Sequence, residues 1–191
     1  MPFPSPPWSL RGQAWVSLIR AAAPGEGTDT WVTGFVDYQP GGTLSYRELV
    51  VARRLSRRAV QVRDLWVDSA ASRDGARSLW HLPKQLGVLA HTASGLGLVG
   101  HAEWAATDGS TQVASASFAD VARAAVPLPF RFRTEQPREG GPPAVTPVAG
   151  RGRSLPCLAH WDFAAEGPLG WLAGRQPLVS FRVRDFALVF G

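Results

Sequence analysis

Short runs of β-branched and aromatic residues dominate this sequence, and such runs are typical of β-strands. The first four are Trp15–Ile19, Thr30–Val36, Ser45–Ala52 and Ala59–Asp68. The segment Asp37–Gly42, which is dense in turn-forming residues, separates the second run from the third. Further strands are predicted at 92–98, 101–106, 112–118, 130–133 and 180–190. The pattern therefore predicts a mainly β protein.

Two segments depart from the strand pattern. Ser69–Leu79 is predicted to be a helix, because it begins at a Ser or Asp cap and ends before Pro83. Glu135–Arg153 is rich in Pro, Gly and Arg without an apolar period, so we expect a mobile loop or a lid there. Many short strands with one or two short helices indicate a single mainly β (α+β) domain over residues 1–191. Its expected form is a curved antiparallel β-barrel or two packed sheets.

Length and composition narrow the class of protein. The 191 residues suffice for one domain with a stable core. The single cysteine, Cys157, allows no internal disulfide and fits a reducing compartment. The N-terminus has no signal-peptide pattern, and no stretch approaches the roughly 20 apolar residues that span a bilayer. We therefore expect a cytoplasmic protein without a membrane partner.

The charge is basic, with a net charge of +5 and a pI near 10.6. A nucleic-acid binder would concentrate its cations on one face. Here the arginines are scattered, and only Arg53–Arg54 with Arg57–Arg58 form a cluster, expected in an exposed hairpin connection. We therefore predict no nucleic-acid partner.

Lys84 is the single lysine of the chain, against nineteen arginines. An arginine keeps its proton in a protein, whereas a buried lysine can lose it and become a nucleophile. Lys84 follows Leu82 and Pro83 and precedes the apolar run Leu86–Leu89, a setting that favours burial. Two interpretations remain open: a surface lysine in an arginine-biased composition, or a buried reactive amine.

Three segments, in this order and at this spacing, resemble the acetoacetate decarboxylase family and its wider superfamily. Leu79–Gly87, preceded by Gly75–Arg77, resembles the family's Gly-Arg-rich approach to a Pro-Lys-x-Leu element whose lysine forms a Schiff base. Tyr46–Glu48 is similar to the family's Tyr-x-Glu, which lies upstream of that lysine and whose glutamate faces the pocket. Arg11, within Pro7–Gly12, falls near the family's substrate-facing arginine.

The resemblance implies a lyase that forms a Schiff base with a small keto acid and, by default, decarboxylates it. Lys84 would be the nucleophile, Glu48 would move protons, and Arg11 would hold the substrate carboxylate. The other implied substrate-binding residues are Tyr46, Leu82 and Trp80, with core packing as the alternative role of Tyr46. No cofactor and no metal is expected, and we expect a homo-oligomer.

Two departures from the family pattern leave alternatives open. Gln85 replaces a second lysine, and an acidic pocket residue falls on or near Thr33. The family lysine is itself the standard example of an amine activated by a neighbouring cation. Without that cation, we expect desolvation by Trp80, Leu82 and Leu86 to lower the pKa of Lys84. Aldol, dehydration or cyclisation chemistry and a non-catalytic binding or scaffold role remain alternatives.

Two other motifs have weaker support. His101 and Glu103 with Cys157 and His160 partly match the signature of zinc deaminases, but the pattern lacks its last cysteine. Gly95–Gly100 matches a dinucleotide-binding glycine motif, but no helical pattern follows it. We interpret the first as chance and the second as a tight connection between strands.

Overall fold

The computed structural model describes residues 3–94, 100–122 and 124–191. The strands are β1 (Trp8–Ala22), β2 (Thr28–Tyr38), β3 (Tyr46–Arg54), β4 (Ala59–Val67), β5 (Lys84–Leu86), β6 (Val88–Ser94), β7 (His101–Asp108), β8 (Thr111–Asp120), β9 (Val126–Arg138), β10 (Gly141–Phe163) and β11 (Val179–Phe190). They accompany one α-helix, α1 (Ala70–Trp80), and a short 3-10 helix (Gly170–Leu172). The predicted mainly β class is confirmed.

Seven strands form a closed circuit of hydrogen-bonded pairs, here called the strand ring. Its order is β11-β1-β2-β3-β4-β9-β10, and β10 pairs with β11 again, so the circuit closes. The pairing of β4 with β9, at Ala59 opposite Arg133, is parallel, as is the pairing of β5 with β4. The other pairs of the strand ring are antiparallel, as predicted. The chain returns from β4 through α1 to β5, and a helical crossover of this kind produces a parallel pair.

A second layer packs on the outer face of β1–β3. It consists of β6, β7, β8 and the second half of β10, which continues out of the strand ring. Phe35 of β2 stacks between Trp104 and Trp161 of this layer, with ring centroids 5.0 and 5.3 Å away. The strands of the ring are thus buried on both faces here, which accounts for their β-branched and aromatic composition.

The segment Glu135–Arg153 is not a loop. It forms most of the hairpin between β9 and β10, with a turn at residues 139–140. The inward positions of this hairpin include the buried polar residues Thr134, Gln136 and Thr146, so the sequence shows no apolar alternation. The Gln136 side chain accepts from the Val62 amide at 2.8 Å and donates to the Val62 carbonyl at 3.0 Å. These bonds tie β9 to β4 where backbone pairing has ended, which explains the buried glutamine.

Helix α1 closes one end of the strand ring. The side chain of Ser69 caps it by accepting from the Ser72 amide, and it ends at His81 in the left-handed conformation with φ 55°. The predicted helix is therefore confirmed. Its last residue, Trp80, packs edge-on against Trp8 and Phe190 with centroid distances of 4.7 and 4.6 Å. Large aromatic rings thus seal this end of the ring.

Three further predictions concern the connection after β3, the segment around residue 95 and membrane-spanning helices. The exposed hairpin connection between β3 and β4, which carries Arg57 and Arg58, is confirmed. Residues 95–98 of the predicted strand 92–98, and most of the glycine motif, lie outside the described residues. None of the helices that the structure describes is long and apolar enough to cross a membrane.

Candidate active site

The strand ring encloses a cavity of about 610 Å³. Most of its lining is apolar and comes from inward-facing residues of the ring strands. Polar side chains concentrate at its two ends. Tyr38, Tyr46, Glu48 and Lys84 lie at the end closed by α1, and the connection between β3 and β4 lies at the other. Apolar cavities of this size with a few convergent polar groups are typical of small-molecule sites.

The crossover through α1 places Lys84 inside the cavity. After the helix, Leu82 turns inward and its carbonyl accepts from the Lys84 amide at 2.8 Å. Lys84 then starts β5 opposite Leu65 of β4. Its side chain is only 4% exposed. The interpretation of Lys84 as a surface lysine is therefore wrong.

Three polar groups surround the Lys84 amine. Nζ lies 2.9 Å from Oε2 of Glu48 and donates to the hydroxyls of Tyr46 at 3.0 Å and Ser72 at 2.9 Å. An ammonium has three donors, so all of them are satisfied. The amine is held in one position by β3 on one side and by α1 on the other.

Strand alternation positions the partners of Lys84. Tyr46 and Glu48 are two residues apart on β3 and therefore point to the same face. Tyr38 on the adjacent β2 lies opposite Tyr46, with ring centroids 4.4 Å apart. Its hydroxyl donates to Oε1 of Glu48 at 3.3 Å. Each oxygen of the Glu48 carboxylate thus has a partner.

Burial and charge act on Lys84 in opposite directions. Burial lowers the pKa of the amine, but the Glu48 carboxylate, together with Tyr46, outweighs it and raises the pKa above its ordinary value. The expected lowering of the Lys84 pKa is therefore wrong. The amine rests as an ammonium ion paired with Glu48, and a free amine requires transfer of its proton.

The two tyrosines remain protonated. Burial raises the pKa of Tyr46, and the charges of Lys84 and Glu48 act on it in opposite directions. Burial also raises the pKa of Tyr38 well above its ordinary value, and the Glu48 charge adds to this effect. Both hydroxyls can therefore donate hydrogen bonds inside the cavity at any pH near neutrality.

The structure brings five of the six predicted site residues to this cavity. Tyr46, Glu48, Trp80, Leu82 and Lys84 all line it. Arg11 does not: it is exposed, and it lies on the opposite face of β1 from the buried Leu10. Its side chain instead passes over the turn at Gly41. The predicted role of Arg11 in holding a substrate carboxylate is therefore corrected.

The two departures from the family pattern lie away from the amine. Thr33 is buried, but it faces the core between the two layers and donates to the Ser17 carbonyl at 3.5 Å. Gln85 is half-buried and follows Lys84 on β5, so its side chain points to the opposite face of that strand. Neither residue contributes to the polar group around Lys84.

Ser72 and Tyr38 are site residues that sequence reasoning missed. Ser72 is fully buried in the first turn of α1, a position where serine ordinarily serves the helix terminus. Tyr38 ends β2, within the segment interpreted as a turn. A signal existed for Tyr38, because a strand extended by two residues would place it beside β3, but none existed for Ser72.

The candidate zinc residues do not converge. His101, Glu103 and His160 are exposed on one face of the second layer, whereas Cys157 is buried on the other. Residues on opposite faces of a sheet cannot ligate one ion. Among the described residues, no group of three or more acidic, histidine or cysteine side chains is placed to hold a metal.

The chain has the acetoacetate decarboxylase-like fold, as the solved structures similar to it show. Acetoacetate decarboxylase from Legionella pneumophila has a TM-score of 0.67 and 15% identity, covering 99% of this chain and 86% of that chain. The enduracididine biosynthesis enzyme MppR, complexed with the condensation product of pyruvate and imidazole 4-carboxaldehyde, has a TM-score of 0.62 and 18% identity, covering 98% and 88%. An acetoacetate decarboxylase-like enzyme from Sphingomonas wittichii RW1 has a TM-score of 0.59 and 14% identity, covering 96% and 90%.

No protein-family model and no curated protein matches the sequence. The similar solved structures nevertheless confirm, at the level of the fold, the resemblance predicted from the three sequence segments.

Proposed function

We propose that this protein is a Schiff-base-forming lyase that acts on a keto acid and decarboxylates it. One observation carries the proposal: the only lysine of the chain lies buried in a cavity wall, bonded to a carboxylate and two hydroxyls. A lysine with a purely structural role would not need to border an open cavity. Here the amine borders an apolar cavity large enough for a ligand.

Glu48 is the group that frees the amine. Its carboxylate lies 2.9 Å from Nζ and can accept a proton directly. A carbonyl compound entering the cavity displaces water, and the transfer converts an ion pair into two neutral groups, which an apolar environment favours. The neutral amine then attacks the carbonyl carbon.

The hydroxyls of Tyr46 and Ser72 support the addition step. Both accept from the ammonium in the resting site and are within reach of an oxygen bound beside Nζ. As the carbonyl oxygen gains charge, they donate to it, and the proton held by Glu48 completes the carbinolamine. Loss of water from the carbinolamine gives the protonated imine.

Decarboxylation follows from the electron demand of that imine. The bond from the α-carbon to the carboxylate breaks, its electron pair moves into the iminium group, and carbon dioxide leaves an enamine. Glu48 takes up one proton from solvent, the proton that the decarboxylation consumes overall, and delivers it to the enamine carbon. Water then hydrolyses the imine to the ketone and returns the amine to Lys84.

Borohydride trapping tests the proposal. The protein is incubated with β-keto acids, reduced and analysed by mass spectrometry, because reduction fixes an imine as a stable adduct. With one lysine in the chain, an adduct lies on Lys84 or on the N-terminus, and Lys84→Arg separates the two. We expect an adduct on Lys84 and release of carbon dioxide. An adduct-free Lys84 with every acid would favour the non-catalytic binding role.

A second candidate, aldol or dehydration chemistry through the same imine, is favoured by one observation. Within the described part of the chain, Lys84 is the only cation that lines the closed end of the cavity, so nothing there holds a departing carboxylate. MppR, whose structure holds a condensation product of pyruvate and an aldehyde, shares the fold. Trapping of an imine without release of carbon dioxide from any β-keto acid would select this candidate.

A further inference from the structure

The cavity is longer than a small keto acid requires. Glu48 and Arg54 both line it and lie on the same face of β3, six residues apart. At about 3.3 Å per residue, this separation is about 20 Å. Between the two positions the lining from β3 is Val50 and Ala52, and the facing strands add valine, leucine and phenylalanine side chains. A carbonyl group at Lys84 would leave most of this space unfilled.

The end far from Lys84 is basic. Arg54, Arg57 and Arg58 line the cavity there and are exposed to solvent. A neighbouring cleft shares Arg57 and Arg58 and adds Arg131. Among the ion pairs of the described residues, none involves these four arginines.

The contrast with adjacent arginines is sharp. Arg53, one residue from Arg54 but on the opposite face of β3, pairs with Glu26 at 3.1 Å and with Asp29 at 2.7 Å. Arg133 on β9 pairs with Glu135 at 2.6 Å. Arg53 and Arg133, which face outward, thus have carboxylate partners, whereas Arg54, Arg57 and Arg58, which line the cavity, have none in the described structure. A guanidinium without a partner is suited to a two-pronged bond with a carboxylate or phosphate.

The basic end is also the end at which a ligand can enter the cavity. The Lys84 end is sealed by α1 and by the aromatic contacts of Trp80 with Trp8 and Phe190. A ligand therefore enters past Arg57 and Arg58. The part of the ligand that lies along the apolar stretch must be uncharged, because an anion there would lose its hydration without a partner.

We propose that the substrate of the Lys84 site carries a long apolar chain beyond its keto group, with an anionic group at the far end held by Arg57 and Arg58. This inference rests on the proposed function, since the keto group is placed at Lys84. An extended chain gains roughly 1.2 Å per bond, so about 20 Å corresponds to roughly 16 bonds. The substrate class is thus a long-chain β-keto acid that carries a second anionic group, a carboxylate or phosphate, at its far end.

The probes that test this inference are methyl ketones with a terminal carboxylate, which resemble the products of decarboxylation and so form an imine without turnover. Chain lengths run from about 5 to about 16 carbon atoms, up to the estimated span of the cavity. The concentration that gives half-maximal borohydride labelling of Lys84 is measured for each probe. We expect it to fall at least about tenfold from the shortest chain to the longest, because each buried methylene adds to binding.

The anion is tested with two matched comparisons. Arg57→Ala/Arg58→Ala should raise the half-maximal concentration of the long acid by about fivefold to tenfold, as expected for partly exposed arginine–carboxylate bonds. The methyl ester of the same acid should not respond to this change. The control, Arg77→Ala/Arg175→Ala, removes two exposed charges that do not line the cavity and should leave both probes unaffected.

The outcomes separate this inference from the proposed function. Labelling that is independent of chain length, or equal for acid and ester in the wild type, overturns the long anionic substrate while Schiff-base chemistry stands. A second readout, calorimetric binding of a long-chain dicarboxylate, needs no imine. If that binding depends on Arg57 and Arg58 but no probe labels Lys84, the proposed function fails and the ligand class stands. If neither occurs, both fail.

Discussion

The Nζ atom of Lys84 lies 2.9 Å from Oε2 of Glu48, and both side chains are nearly excluded from solvent. A buried amine without this carboxylate would have a lowered pKa, because burial disfavours its charged form. With the carboxylate in place, the pKa is raised. The pairing therefore determines the resting protonation of the amine, and in the proposed mechanism it supplies the base that removes the proton.

Removal of the Glu48 carboxylate charge should change the raised pKa of Lys84 into a lowered one. Burial is already the largest single effect on the Lys84 amine, and Glu48→Gln removes the main charge that opposes it, so the pKa of Lys84 should fall below its ordinary value of about 10.4. Acetylation of Lys84 near neutral pH, followed by mass spectrometry, should then be faster than in the wild type, while turnover is slower. Glu103→Gln, on the exposed face of β7, is the matched control. Unchanged acetylation in Glu48→Gln would show that the carboxylate does not set the pKa.

The raised pKa of Lys84 also predicts how the free energy of unfolding depends on pH. Because the folded-state pKa of Lys84 is raised, its contribution is fully present below the ordinary value of about 10.4 and is lost as pH rises through the folded value. Urea unfolding should therefore show the stability advantage of the wild type over Lys84→Met shrinking above about pH 10.4. An advantage that stays constant through the alkaline range would contradict the raised pKa.

Replacing one member of the Lys84–Glu48 pair should destabilise the fold more than replacing both. Lys84→Met and Glu48→Leu, made singly, each leave an unpaired charge in the cavity wall and should destabilise the fold by about 3–5 kcal/mol. The double variant removes both charges, and its stability should lie within about 1–2 kcal/mol of the wild type, or above it. Denaturant unfolding of all four proteins gives the coupling. A double variant as unstable as the sum of the single variants would indicate no coupling.

Much of this site follows from the sequence. The period of β3 places Tyr46 and Glu48 on one face. Leu82, beside Lys84, is buried as its apolar setting indicates, whereas Leu86 and Val88 of the same apolar run are exposed. The long β9–β10 hairpin was not predictable from hydrophobic pattern, because Thr134 and Gln136 occupy its inward positions. Their polarity is satisfied by partners on other strands, and a linear sequence does not show such partners.

Other parts depend on geometry that a sequence alone does not fix. Neighbouring residues of a strand point to opposite faces, so a register uncertain by one residue cannot place a side chain in a pocket. Leu10 faces the cavity, and Arg11 therefore faces away from it. Ser72 reaches Lys84 because α1 crosses the end of the strand ring, and the angle of that crossing is a tertiary property.

Arg11→Ala should therefore leave ligand binding unchanged. Its side chain is exposed on the outer face of β1, so its loss removes no contact inside the cavity. Calorimetry with a β-keto acid and with the corresponding simple ketone should give affinities within about twofold of the wild type, the size expected for a distant surface change. A selective loss of acid binding in this variant would restore the role predicted from the sequence.

Ser72 provides the sharpest test of how the amine is held. Its hydroxyl accepts one of the three Nζ donors and is fully buried, so Ser72→Ala leaves a buried ammonium donor without its partner. We expect a loss of about 1–3 kcal/mol in the free energy of unfolding, the cost of an unsatisfied buried group. We also expect slower imine formation, because this hydroxyl can no longer donate to the carbonyl oxygen during addition.

Ser78→Ala serves as the control, since Ser78 lies on the same helix but is exposed. Its effect on unfolding should stay within about 0.5 kcal/mol, and imine formation should match the wild type. Ser72→Thr retains a hydroxyl. It should recover part of the trapping rate if imine formation depends on the hydroxyl donor rather than on the volume of the side chain at this position. If Ser72→Ala traps keto acids as fast as the wild type, Ser72 positions the resting amine and takes no part in addition.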